Sequence, residues 1–157
     1  MTDVNDVTET KDDPTRASVA ASLFSEVLMV EQLARALIGR SLPGGMQISH
    51  FSVLNLLAHL AEERTPAQLA EAFHVTRGAM SNTLARLEWA GHIHIRPDWD
   101  DARRKFVSIS PSGRAARDAA IAAISPAMSD IVRDIGAERV RAALPVLRAL
   151  RERLEGG

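Results

Sequence analysis

The 157-residue chain contains no cysteine. That absence removes disulfide staples, thiolate metal sites, cysteine nucleophiles and thiol redox sensing together. No run approaches the roughly eighteen consecutive apolar residues of a membrane span, so none is expected. The N-terminus is acidic and polar and lacks the basic head and apolar body of a secretion signal. A soluble cytoplasmic protein is what these exclusions leave. Its length, at 46% hydrophobic content, suits one domain with a proper core. Net charge is also nearly missing, at −1, which on its face disfavours a polyanionic partner. Lysine is scarce, since seventeen of the nineteen basic residues are arginine. A GC-rich genome and a role in phosphate contact would each produce that bias.

The small net charge is a sum over unlike parts. Residues 1–15 hold five acids (Asp3, Asp6, Glu9, Asp12, Asp13) against Lys11 alone. With few large apolar side chains to offset the entropy of ordering, this stretch reads as a disordered acidic tail. Without it, 18 bases face 15 acids. From Arg64 to Arg117 the balance is 9 bases to 5 acids, a net of +4. The neutral average therefore conceals a basic segment.

Apolar periodicity organises the rest. Leu23, Val27, Val30, Ala34 and Leu37 recur every three or four residues between Ser18 and Arg40, predicting a long helix. Phe24, Leu28 and Ile38 make its stripe wider than a small monomer needs. Ser41-Leu-Pro-Gly-Gly45 breaks it. A second helix opens near Ser49, with Phe51, Leu54, Leu57 and Leu60 inward. Thr65-Pro66-Ala67-Gln68 combines a capping hydroxyl, a proline at the first helical position and a capping-box glutamine, predicting a short helix to Phe73. Thr76 caps another helix, which runs to Ala90 and stops at Gly91. Met80, Leu84 and Leu87 form its inner face, leaving Arg77, Ser81, Asn82 and Arg86 outside that stripe. The period then drops to two in His92–Arg96 and Phe106–Ser110, around a charged tip at 97–105, as in a β-hairpin. Beyond Ser112 two helical stripes follow: Ile121, Ile124, Met128, Ile131 and Ile135, then Val140, Leu144, Leu147, Leu150 and Leu154. Gly136 separates them, and both continue past Pro126 and Pro145, which should kink rather than end them. There is no internal repeat.

A capped short helix, a tight turn, a longer helix and a charged hairpin together read as a winged helix-turn-helix. An α-helix fits the major groove, and a neighbouring hairpin reaches the minor groove, whose negative potential attracts arginine. The expected fold class is mainly α with a small β-hairpin wing, flanked by terminal helices that form a dimerisation domain. The boundaries are 1–15 for the tail, 16–48 and 112–157 for the dimerisation region, and 49–111 for the DNA-binding lobe.

Between Gln47 and Arg114 the sequence resembles the MarR (multiple antibiotic resistance regulator) family of transcription factors. The resemblance rests on Phe51-x-Val-Leu54, Thr65 with Leu69-Ala70, Met80-Ser81 through Leu84, and Leu87-Glu88. It continues in Gly91-x-Ile93, Asp101-Ala102-Arg103, Val107-Ser-Ile-Ser110 and Gly113-Arg114. It implies a homodimeric regulator of transcription, dimerised by its terminal helices and released from a pseudo-palindromic DNA operator by a small aromatic or phenolic effector. Carried onto this chain, Arg77, Ser81 and Asn82 face the major groove. Arg103 is the wing arginine, held by a pair with Asp101, while Arg86, Arg104 and Lys105 contact phosphate. Thr65 and Ser49 offer hydroxyls or helix N-termini to the backbone. Where many relatives carry arginine after the helix Ser/Thr, this chain has Asn82, a side chain suited to adenine rather than guanine. His50 lies near where the family's ligand pockets form.

Competing readings attach to several residues. His92-x-His94 has a spacing metals use but no third ligand in register, so neither metal nor cofactor is expected. Trp89 is expected to pack behind the recognition helix, whereas Trp99 either packs on the hairpin or touches the sugar–phosphate edge. Asp98, Asp100 and Asp101 also suit turn formation. Acidic pairs such as Glu62-Glu63 have no companion nucleophile or phosphate loop, which argues against an enzyme. A winged-helix module that binds protein through Arg77, Ser81 and the wing is the alternative function, and a regulator without a ligand is a third.

Overall fold

The computed structural model describes residues 14–60 and 62–156. The acidic stretch 1–13 lies outside them. The elements run α1 (Pro14–Ser41), α2 (Ile48–His59), α3 (Pro66–Ala72), α4 (Arg77–Trp89), β1 (Ile93–Pro97), β2 (Lys105–Ile109), α5 (Pro111–Ile135) and α6 (Ala137–Glu155). The chain divides into two compact units, Met1–Leu37 and Ile38–Gly157.

In the first unit, α1 already includes Pro14 and Thr15, two residues that composition alone assigns to the tail. Proline suits a first helical turn, where its missing N–H is no loss. No residue of α1 is buried, and Leu28 is 68% exposed. By length and composition α1 could also cross a membrane, its most apolar window averaging a hydropathy of 1.3. Counting consecutive apolar residues misses this, because serine and single glutamates interrupt the runs while barely lowering the mean.

The second unit has its own core. Val53, Leu54 and Leu57 of α2 pack with Leu69 and Ala70 of α3, Met80, Leu84 and Leu87 of α4, Ile93 of β1 and Val107 of β2. Each large side chain so buried contributes about 1.5–3 kcal/mol. The inner face of α2 is Val53, Leu54 and Leu57, centred near Leu57: Phe51 is half-buried, and Leu60 is the half-buried C-cap residue. Positions 53, 54 and 57 share a narrow arc at about 100° per residue, so the buried stripe lies to one side of the expected one.

Helix boundaries follow their caps. Thr65 accepts from the Gln68 N–H at 3.2 Å while its own N–H donates to Gln68 Oε1 at 2.9 Å, completing the expected capping box. Thr76 Oγ1 accepts from the Ala79 N–H at 3.1 Å. After Ala90, the C-cap of α4, Gly91 turns the chain away at a φ of 73°. Pro126 and Pro145 sit inside α5 and α6, which continue through them. β1 and β2 pair antiparallel from Ile93↔Ile109 to Pro97↔Lys105, a frame one residue from the one alternation suggests. Arg64 also forms a β-bridge with Val107, bringing the approach to α3 alongside the hairpin.

Candidate nucleic-acid interface

The turn between α3 and α4 fixes how the recognition face is presented. Met80, Leu84 and Leu87 anchor α4 in the core, so Arg77, Ser81, Asn82 and Arg86 are exposed. A cleft of about 380 Å³ runs between the start of α3, the first turns of α4 and the hairpin. Thr65, Arg77, Ser81, Arg103, Arg104 and Lys105 line it, so six of the ten residues pointed toward DNA by resemblance surround one space. Asn82 is exposed on α4 without lining this cleft, and Asp101 lies in the exposed wing loop. Among the described residues no carboxylate pairs with Arg77, Arg103 or Lys105. The Thr65 hydroxyl is engaged with Gln68 and sets the start of α3.

The wing loop is braced by its own polar groups. The Asp98 N–H donates to the Arg104 carbonyl at 2.9 Å, and the Asp100 N–H donates to Asp98 Oδ1 at 3.0 Å. The expected Asp101–Arg103 pair takes a different form: Asp101 Oδ1 accepts from the Arg103 backbone N–H at 3.0 Å, not from the guanidinium. Two residues of separation favour this local turn over a bridge between side chains. The Arg104 guanidinium instead approaches Asp98 at 3.9 Å and the Phe106 ring at 5.7 Å.

Three ties join the hairpin to its surroundings. Arg64 and Val107 exchange backbone hydrogen bonds at 3.2 and 2.8 Å. Arg96 binds the Glu63 carboxylate through Nε, at 3.0 and 3.1 Å, and through Nη2. The bond to Glu63 raises the Arg96 pKa above its ordinary value. At the far end, Ser110 Oγ donates to the Gly91 carbonyl at 2.6 Å and accepts from the Gly113 N–H at 3.0 Å. Gly113 is held so closely that a Cβ there would lie 2.0 Å from the His92 carbonyl oxygen. None of these ties was assigned from sequence. Ser110-Pro111 does carry an N-cap signal that could have found one of them. Glu63 and Arg96 carry none.

A second cleft, of about 420 Å³, lies on the other side of α4. Arg86 lines it with Met46, His50, Trp89 and His92, and so lies apart from the other basic residues. His50 Nδ1 accepts from the Gln47 N–H at 3.3 Å, while Nε2 is buried without a partner. Burial lowers the His50 pKa, and Arg86 and His92 push it the same way. Trp89 does not pack behind the recognition helix but is 93% exposed. It follows Leu87 by about 200° around the helix, off the buried stripe. His92 precedes β1, and its Nδ1 lies 3.1 Å from Ser112 Oγ, so it does not share a strand face with His94.

A short capped helix, a core-anchored second helix and a braced basic hairpin define a winged helix-turn-helix protein. Residues 44–104 match the model of the MarR family. An uncharacterised HTH-type transcriptional regulator, YdgG of Bacillus subtilis (strain 168), is 28% identical over 95 residues. That match spans 59% of this chain and 62% of YdgG. Among solved structures, the regulator BldR of Sulfolobus solfataricus is similar with a TM-score of 0.78 at 21% identity, covering 88% of this chain and 98% of that one. Apo MarR of E. coli is similar with a TM-score of 0.72 at 23% identity, over 82% and 96% of the two chains. A mutant of the same MarR, complexed with operator DNA, is similar with a TM-score of 0.71 at 22% identity, over 88% and 99%. The chain has the fold of the MarR-family regulators.

Proposed function

We propose that the protein is a ligand-responsive transcriptional repressor, acting in the cytoplasm as a homodimer on a pseudo-palindromic DNA operator. One observation carries this reading. Arg77 on the recognition helix and Arg103 and Lys105 on the wing share a cleft, and among the described residues they have no carboxylate partner. Unpaired cations converging from a helix and a hairpin suit a duplex, whose phosphates release counterions when they are neutralised. In this reading Arg77, Ser81 and Asn82 face base edges, Arg103 enters the minor groove, and Arg104 and Lys105 contact phosphate. Thr65 and Asp101 hold α3 and the wing in place. Arg86, on the other side of α4, reaches only flanking phosphate.

Dimerisation is supported within each unit separately. In α1, Leu28, Met29, Val30 and Leu33 are exposed, and in the second unit so are Met128, Ile131, Leu144 and Leu147. Apolar surface of this extent on monomeric proteins usually marks an interface. Glu26, Glu31 and Arg35, the last two ion-paired at 2.6 Å, make a protein surface a better neighbour for α1 than a bilayer core. For the effector, the unpartnered His50 Nε2 is the feature to satisfy. With Nδ1 accepting, the neutral ring carries its proton on Nε2 and offers a donor, which suits a phenolic or carboxylate oxygen.

The test is selection of bound duplexes from random DNA, followed by titration at several salt concentrations. Affinity should fall steeply with salt, and Arg77→Ala and Lys105→Ala should each lower the slope of log K against log salt by about one. Weak, salt-independent binding to every duplex would refute the reading and favour a protein-binding module.

A further inference from the structure

We infer that Trp99 is an apolar anchor of the wing, its indole seated in the minor groove against the sugars of a deformable base step. This inference rests on the DNA-binding reading above. Trp99 follows Asp98 on the β1 side of the hairpin loop and is 87% exposed. The two uses open to it from sequence, packing on the hairpin or meeting the sugar–phosphate edge, are separated by this exposure. The aromatic position over the hairpin is already taken by Phe106, on whose ring Arg96 and Arg104 lie at 4.9 and 5.7 Å. The bonds of Asp98 to Arg104 and Asp100, and of Asp101 to Arg103, fix the loop on both sides of the indole.

Charge at the tip points the same way. Asp98, Asp100 and Asp101 equal Arg103, Arg104 and Lys105 in number, so the net charge of the tip adds little long-range attraction to what individual cations contribute. A large exposed apolar side chain in the loop adds attraction in a form that salt does not screen. Minor-groove proteins use apolar wedges at deformable steps in this way, and pyrimidine–purine steps open most easily. The indole and Arg103 would then read one stretch of minor groove by different means, one by its stiffness and the other by its potential.

Steady-state fluorescence and titration against a duplex selected by the full-length protein test the proposal. The chain has two tryptophans, so Trp89→Phe leaves Trp99 as the single emitter. Its emission should be quenched at saturating duplex. Within that background, Trp99→Ala should weaken binding about tenfold, which corresponds to roughly 1.4 kcal/mol, and leave the salt slope unchanged. Arg103→Ala should reduce that slope. Unchanged Trp99 emission, affinity of the Ala variant within twofold of its parent, or a slope reduced by Trp99→Ala would each overturn the assignment while leaving DNA binding intact. Failure of the unmutated protein to select any duplex would overturn this inference and the function it rests on together.

Discussion

Ser110→Ala should loosen the wing at its base. Ser110 is 2% exposed, and its hydroxyl serves both the Gly91 carbonyl and the Gly113 N–H. Removing an N-cap hydroxyl costs about 1 kcal/mol. The Gly91 carbonyl belongs to an exposed residue and can turn to water, so losing its donor costs about 0.5–1.5 kcal/mol more. A total of about 2 kcal/mol follows, and at roughly 2–4 °C per kcal/mol for a chain of this size the melting temperature should fall by about 6 °C. Thermal unfolding followed by circular dichroism measures it. Ser112→Ala is the control, since Ser112 is exposed and bonded only to His92, and it should shift melting little. Ser110→Thr keeps the hydroxyl and should lose less than the alanine variant. If Ser110→Ala melts within about 2 °C of the parent, the latch is not a stabilising contact and the reasoning fails.

Other perturbations probe different links. His50 is held neutral in the fold because burial lowers its pKa, whereas the unfolded chain takes up a proton below about pH 6.5. Stability should therefore fall as pH drops through 6.5 towards the folded value, and His50→Gln should flatten that part of a melting-temperature profile. An unchanged profile would remove His50 as its cause. Gly113→Ala forces a Cβ onto the His92 carbonyl and should destabilise at least as much as Ser110→Ala; a melt like the parent's would show that α5 shifts freely. Replacing Asn82 with Ala should relax preference at one base position of the selected duplex by about 1–3 kcal/mol, and an unaltered preference would refute its contact with adenine. Leu28→Glu in α1 should lower the mass seen by light scattering from dimer towards monomer, and a monomeric parent at micromolar concentration would refute the dimer itself.

What the sequence made legible were the features written locally. The Thr65 and Thr76 caps, the Met80–Leu84–Leu87 stripe and the stop at Gly91 each occupy one or two helical turns, and each is where its spacing predicts. The hairpin followed from alternation, with an error of one residue in frame. Contacts between distant segments were not legible. Glu63 and Arg96 meet across 33 residues, and nothing in either neighbourhood announces the other. Trp89 shows the converse error, since apolarity suggested burial while its angular position on α4 required exposure. At Asp101 and Arg103 the residue types were noticed correctly but the shorter backbone bond prevails over the ion pair. The grouping of Arg77, Arg103, Arg104 and Lys105 needed the fold, because helix and wing are separated by the whole of β1.

The hairpin is tied to the chain before α3 by Arg64 and Glu63, and to the turn after α4 by Ser110. Helix and wing are thereby locked at a fixed separation, like the jaws of a caliper that cannot be adjusted. A duplex gripped by such a tool must itself supply any bending or narrowing that the fit demands. Base pairs that no side chain touches would then be selected for how readily they yield.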